Sequence, residues 1–392
     1  MTTRTHYDYI VLGCGGIGSG AAYWLARRVG ANVLGLEQFA LAHMHGGSQD
    51  HSRIIRLTYH HENYTRLTPH TYTAWATLEE ESGVQVVHKT GSVELAAKHS
   101  PHIRELNIYS EAMDAAHIPY ERFDGDELMR RYPQFHARDD VEVLWQADTG
   151  LADAAKGNAT HVATARLHGA TIIDNCPVKS IRPFDGGVEV ETERGAFTGR
   201  RLIVTAGSWT DKVLAWAGAS LSITVTQEQV TYYATPHLRD FAIGRFPIWI
   251  WHGDQVLYGF PVYGEVATKA AIDAAGPVVT ADTRTFDADS ACERIVEDWL
   301  KEYLPNFLGP KLYTKTCLYD MPRDRNFVID ALPQHPQILV CSGAGHAYKF
   351  ASLLGKILSE LAIDGHTQYP IAPFTLNRPA ITEPDFKAVF HI

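Results

Sequence analysis

Residues 13 to 18 read Gly-Cys-Gly-Gly-Ile-Gly, so Gly13, Gly15 and Gly18 keep a Gly-x-Gly-x-x-Gly spacing, and Glu37 stands 19 residues after the last of them. That pattern does the chemistry of dinucleotide binding. Gly13 makes a tight turn, Gly15 lets backbone approach a pyrophosphate, and Gly18 lets a helix pack closely on a strand. The helix N-terminus then faces the phosphates. Glu37 accepts the hydroxyls of an adenosine ribose and disfavours a 2'-phosphate. Glycine spacing alone says little. The apolar run Tyr9-Ile10-Val11-Leu12 before it, the helical spacing of Ile17, Ala21, Trp24 and Leu25 after it, and the strand Val33 to Leu36 ending in Glu37 add weight. A second stretch of backbone meets the same ligand at the small-residue turn Thr205-Ala206-Gly207-Ser208-Trp209. Gly207 is therefore placed at the cofactor, together with Val178.

These residues need elements to hold them. The apolar spacing predicts helices over His70 to Ser82, Asp153 to His168 and Ser290 to Leu304, and a last one from about His346 to Ile363 capped by Gly365. Strands are expected over Thr90 to Leu95, Val178 to Ile181, Val188 to Glu191, Leu202 to Val204 and Gln337 to Cys341, with a strand-rich aromatic region from Leu221 to Tyr263. Trp249 and Trp251, two apart on such a strand, share a face and either wall a pocket or pack in the core. Repeats, low-complexity tracts and long linkers are absent, so the domains interleave.

Composition removes several classes. The 392 residues are 45% hydrophobic and 20% charged, as in globular domains. A net charge of -10 repels a polyanion, which excludes nucleic acid as a partner. Cys14, Cys176, Cys292, Cys317 and Cys341 form no Cys-x-x-Cys pair, and this suits a reducing compartment. The N-terminus has no apolar core with a cleavage site, Phe246 to Trp251 stops at His252, and Val389 to Ile392 carries no targeting signal. A cytoplasmic protein without a membrane partner is expected. His43, His45, His51, His60 and His61 crowd one stretch but lack the helix spacing or thiolates of a metal site, so no metal is expected.

Four segments together resemble the family of flavin-dependent amine oxidases that includes monomeric sarcosine oxidase, N-methyltryptophan oxidase and pipecolate oxidase. They are the glycine turn with Glu37; Ser52-Arg53-Ile54-Ile55-Arg56; Lys315 to Asp330, with Cys317-Leu318-Tyr319 and Phe327-Val328-Ile329-Asp330; and Gly345-His346-Ala347-Tyr348-Lys349-Phe350. The resemblance implies an α/β fold, in which a glutathione-reductase-like, Rossmann-type FAD-binding domain (residues 1–85, 148–220 and 322–392) interleaves with an antiparallel-sheet substrate domain (86–147 and 221–321). It also implies FAD tethered by a thioether from Cys317, oxidation of a secondary-amine amino acid to an imine with O2 reduced to H2O2, and a monomer.

By the same resemblance Arg56 and Lys349 hold the substrate carboxylate, the planar fork and the point charge approaching it from two sides. Arg53 lies near the flavin ring, Lys269 activates oxygen as a fixed cation, Tyr258 and Tyr319 line the pocket, and His346, opening the last helix, stabilises negative charge on the reduced ring. Taken singly, Cys317 reads as an inert buried thiol, Arg56 as a structural ion pair, Lys349 and Lys269 as solvated lysines, and the two tyrosines as core aromatics. The chain departs from the pattern at Gly46-Gly47-Ser48-Gln49-Asp50-His51, where Gln49, placed at the substrate, replaces a histidine beside the flavin, and at Asp273, which replaces a second pocket histidine. The rivals are an amine dehydrogenase of the same fold, an NAD-dependent enzyme using only the glycine motif, and a non-catalytic flavoprotein.

Overall fold

A strand buried on both faces must be central, and the apolar run after His6 is one. The computed structural model describes residues 4–137 and 140–389; residues 1–3 and 390–392, at the ends of the expected cofactor domain, and 138–139, within the other, lie outside it. His6–Leu12 pairs in parallel with Val33–Leu36 on one side and Gly195–Val204 on the other, and His335–Ser342 adds in parallel beyond. This eight-stranded sheet closes at one edge with the antiparallel strands Val178–Phe184 and Gly187–Thr192, and at the other with Thr171–Ile173. Side chains on both faces are covered, as a parallel sheet requires.

A second, nine-stranded sheet is almost wholly antiparallel. Its core is the pairing of Ile223–Tyr233 with Lys311–Pro322 and with Thr268–Ile272, continuing through Val256–Phe260 and Ile248–His252 to Ser92–Ala97. A small three-stranded sheet carries Arg53–Ile55. The aromatic pair takes its packing role: Trp249 stacks on Trp299 at 4.5 Å and Trp251 lies over Tyr303, both under helix Ser290–Tyr303, away from any pocket.

Helix ends follow local chemistry. Asp153 caps Ala154–Leu167 through Lys156 N at 2.9 Å, and Gly365, at φ +78°, ends Ala351–Asp364. That last helix begins five residues later than the apolar spacing predicts. Residues Gly343 to His346 form a turn with Ala344 and Gly345 at positive φ, and Tyr348–Phe350 is a single 3-10 turn, so His346 does not sit at a helix N-terminus.

Helix Gly16–Val29 lies directly against Ala351–Asp364, and glycines make the approach possible. A Cβ on Gly355 would fall 2.3 Å from the Gly20 carbonyl carbon and 2.6 Å from Ala21 N. This contact fixes the turn bearing Lys349 relative to the glycine turn. Gly355→Ala is expected to lower unfolding stability by about 1–3 kcal/mol through overpacking, which urea unfolding measures.

Candidate active site

One cavity of about 670 Å³ runs from the glycine turn to Lys349. At its first end Gly13, at φ +90°, donates its N–H to Leu36 O, and the backbone of Thr205 crosses 2.6 Å from where a Gly13 Cβ would lie. A Cβ on Gly18 would meet Gly13 O at 1.7 Å, which makes glycine obligatory there. Glu37 accepts from Cys14 N at 2.9 Å and Phe39 N at 3.1 Å. His43 Nε2 lies 3.4 Å from Glu37 Oε1; a carboxylate has about four acceptor positions, so at least one remains for a ribose hydroxyl. Val178 and Gly207 line this end of the cavity. The bare backbone, the acid and the space fit a dinucleotide.

Midway, strand Lys311–Pro322 presents Cys317 and Tyr319, Val256–Phe260 presents Tyr258, and Gln49 and Arg53 come from the loop and short strand before Arg56. Cys317 is a free thiol in register with Glu228. Burial pushes its pKa up, with Arg53 opposing, so it is protonated at neutral pH. Burial also keeps Tyr258 and Tyr319 as neutral phenols, and the Tyr319 hydroxyl lies 3.4 Å from Asp273 Oδ1. The Arg53 guanidinium donates to Ser52 O and Gly47 O.

Lys269 is 2% exposed, far from a solvated lysine. Its Nζ donates to Ser52 O at 2.8 Å and Oγ at 3.1 Å and pairs with Asp50 Oδ2 at 2.6 Å. Burial lowers its pKa to about 8, with Asp50 partly restoring it.

At the far end Arg56 pairs with Glu94 at 3.0 Å, and its Nε stays buried with no partner. Glu94 is fully buried and also accepts from Thr58 Oγ1 and His252 Nε2. Arg325 Nη2 reaches both oxygens of Asp273 at 2.9 and 3.0 Å. Lys349, buried, donates to Tyr59 OH at 2.9 Å and His346 O at 3.0 Å. Among the described residues no carboxylate lies within ion-pairing distance of it. The proton order here is fixed by an acceptor. His346 Nε2 faces Arg325 O, which only accepts, so Nε2 carries the hydrogen and Nδ1 accepts from the Tyr59 hydroxyl, leaving the Tyr59 oxygen for Lys349. Burial, then Lys349 and Arg325, holds His346 neutral.

Of the residues expected at the site, all but Gly18, which packs under the Gly13 carbonyl, line this one cavity. Sequence motifs did not mark Asp50, Glu94, Tyr59 or Arg325. Glu94 left a signal: it is the single acid in the apolar strand Ser92–Ala97. Among the described residues no cluster suited to a metal ion occurs, and no helix is long and apolar enough to cross a membrane.

Residues 8–361 match the model of a family described as FAD dependent oxidoreductase. The chain is 31% identical over 386 residues to monomeric sarcosine oxidase of Streptomyces avermitilis, covering 95% of this chain and 98% of that one. It is 31% identical over 382 residues to N-methyl-L-tryptophan oxidase of Escherichia coli, covering 95% and 99%. The solved structure of NikD, an unusual amino acid oxidase essential for nikkomycin biosynthesis, superposes with a TM-score of 0.84 at 27% identity, over 95% of this chain and 98% of that one.

Removing Glu94 leaves Arg56 as an uncompensated buried charge. Glu94→Gln is expected to destabilise the fold by about 3–5 kcal/mol. Arg56 and His252 hold the Glu94 carboxyl below the usual range against burial, which raises it. Its stabilisation is therefore complete above the unfolded glutamate value, about 4.3, and is lost as pH falls. Urea titrations across that range should show wild-type stability dropping on acidification more steeply than that of the variant.

Proposed function

The chain belongs to the FAD dependent oxidoreductase family, and from that premise we propose that it oxidises an amino acid whose amine is secondary, N-methylated or cyclic, to the imine, with O2 reduced to H2O2. Bound FAD supplies the two-electron acceptor for this oxidation and the donor to oxygen. Residues 1–85, 148–220 and 322–392 are assigned to holding it: Gly13, Gly15 and Gly18 admit the pyrophosphate, Glu37 takes the ribose, and Val178 and Gly207 flank the path. Cys317 is assigned as the covalent tether.

The observation that carries the substrate assignment is Lys349. Burial, then Arg56, holds the Lys349 amine well below the usual lysine range; its hydrogen-bond partners are neutral oxygens, and a substrate carboxylate supplies the counter-ion that restores its proton. Arg56, with a buried Nε to spare, flanks it. Anchored there, the amine end extends toward Tyr258, Tyr319 and Arg53. A secondary ammonium titrates near the lysine value, about 10. It must shed its proton before its lone pair assists C–H cleavage. The cations Arg56, Lys349 and Arg325 around it favour that loss. Lys269 places positive charge where oxygen takes up its first electron. The neutral His346 ring, with both nitrogens engaged by Arg325 O and the Tyr59 hydroxyl, orients Tyr59 toward Lys349. A soluble cytoplasmic monomer completes the assignment.

Four measurements test this. Acid-denatured wild-type protein is expected to give a yellow pellet and Cys317→Ala a white pellet beneath a yellow supernatant. A panel of N-methyl and cyclic amino acids should bleach the flavin without oxygen, and peroxide equal to substrate consumed separates an oxidase from a dehydrogenase that feeds a protein or quinone. A charge-assisted hydrogen bond is worth about 2 kcal/mol, so Lys349→Met should lower kcat/KM about thirtyfold; an unchanged value rejects the carboxylate site.

A further inference from the structure

A lysine that acts through its charge must keep its proton, and Lys269 is badly placed to do so. Its neighbours from every side are Arg53, Lys315 and Cys317, the Tyr232 ring at 5.7 Å and the Phe260 ring at 4.7 Å, with Tyr258 beyond. The acid that meets this crowd is Asp50. Its Oδ2 pairs with Lys269 Nζ at 2.6 Å and lies 3.7 Å from Arg53, and its Oδ1 takes the Tyr232 hydroxyl at 2.6 Å and Lys315 at 3.2 Å. Asp50 has φ +91°, a left-handed backbone that suits glycine and strains an aspartate. The chain keeps the strained acid at the one point that touches three cations.

We infer that Asp50 is a positioning residue for the oxygen chemistry: its ion pair, with Ser52, clamps the Lys269 ammonium at the cavity wall. The inference rests on the proposed role of Lys269. Burial alone would neutralise Lys269, and Asp50 is the group that resists this. Asp50 itself, although buried, is held far below the usual carboxylate range by Lys269 and Arg53, so it is charged at any working pH.

The test uses Asp50→Asn, Asp50→Gly and Lys269→Met holoenzymes. Anaerobically reduced protein is mixed with oxygen from about pH 6 to about pH 10, and acetylation of Lys269 by acetic anhydride at neutral pH is quantified by peptide mass. The wild-type reoxidation rate should fall as pH rises through about 8. In both Asp50 variants the fall should move about one unit or more to acid, and Lys269 acetylation at neutral pH should rise about fivefold or more, because only the neutral amine reacts. Asp50→Gly should unfold at higher urea than Asp50→Asn, since glycine relieves the left-handed backbone. Slow reoxidation in Lys269→Met, with profile and acetylation unmoved in the Asp50 variants, rejects the inference alone. Wild-type reoxidation in Lys269→Met rejects the role of Lys269 and the inference with it. Should neither Asp50 variant fold, Tyr232→Phe, which removes one hydrogen bond from Asp50, takes their place, and an unmoved profile there is a rejection.

Discussion

Charge buried without a partner is the constraint that organises this molecule. Moving an ion out of water costs several kcal/mol unless an opposite charge and hydrogen bonds meet it. The cavity holds its cations accordingly: Arg56 on Glu94, Arg325 on Asp273, and Lys269 on Asp50. Lys349 alone among these has neutral oxygens for company. The exception defines the site, because a binding energy left unsatisfied by the fold is available to a ligand. Pairing at Lys349 by a protein carboxylate would stabilise the chain and close the position to substrate.

The backbone arrangement serves the same end. Site residues that must face one another come from different layers: Arg53 from the start of the short strand Arg53–Ile55 and Arg56 from just after its end, Lys269 and Cys317 from the antiparallel sheet, Lys349 from the turn before the last helix. Their relative placement depends on contacts far from any charge. The glycine contact between Gly355 and Gly20 sets how near the last helix comes to the first, and the crossing of Thr205 over Gly13 ties the two stretches of backbone at the cofactor end. Both contacts tolerate no side chain, so they transmit position stiffly.

Local periodicity made most elements legible. Helix Thr68–Ser82 differs from its apolar pattern by two residues at one end, and the expected strand from Gln337 to Cys341 lies inside His335–Ser342. The last helix is expected too early at its start because the segment from His346 to Lys349 reads as its first turn, while the apolar spacing begins only at Phe350 and the preceding Gly-Ala-Gly turns at positive φ. The candidate site was legible through its motifs, each a short segment. Its counter-ions were not. Lys269 and Ser52 are 217 residues apart, and neither spacing nor composition says which acid will face which base across such a distance. Asp50 stands inside a recognisable segment, yet its strained φ is a property of the folded backbone and leaves no trace in residue type.

The balance of charge inside the cavity also differs from that outside. The chain carries -10 overall, while around Cys317 the carboxylate of Asp50 is shared by Lys269, Lys315 and Arg53, Glu228 lies in register with the thiol, and at the far end Lys349 has no paired acid among the described residues. An acidic surface keeps polyanions away, whereas low-dielectric walls focus the positive field on whatever enters. A ligand with one carboxylate finds its counter-ion at Lys349. A second carboxylate would meet Asp273, already engaged by Arg325, or Glu94, already engaged by Arg56, and would bring repulsion in place of a partner. The pairing that lets the protein bury its charges therefore leaves Lys349, of the cavity's buried cationic side chains, as the one without a paired acid among the described residues.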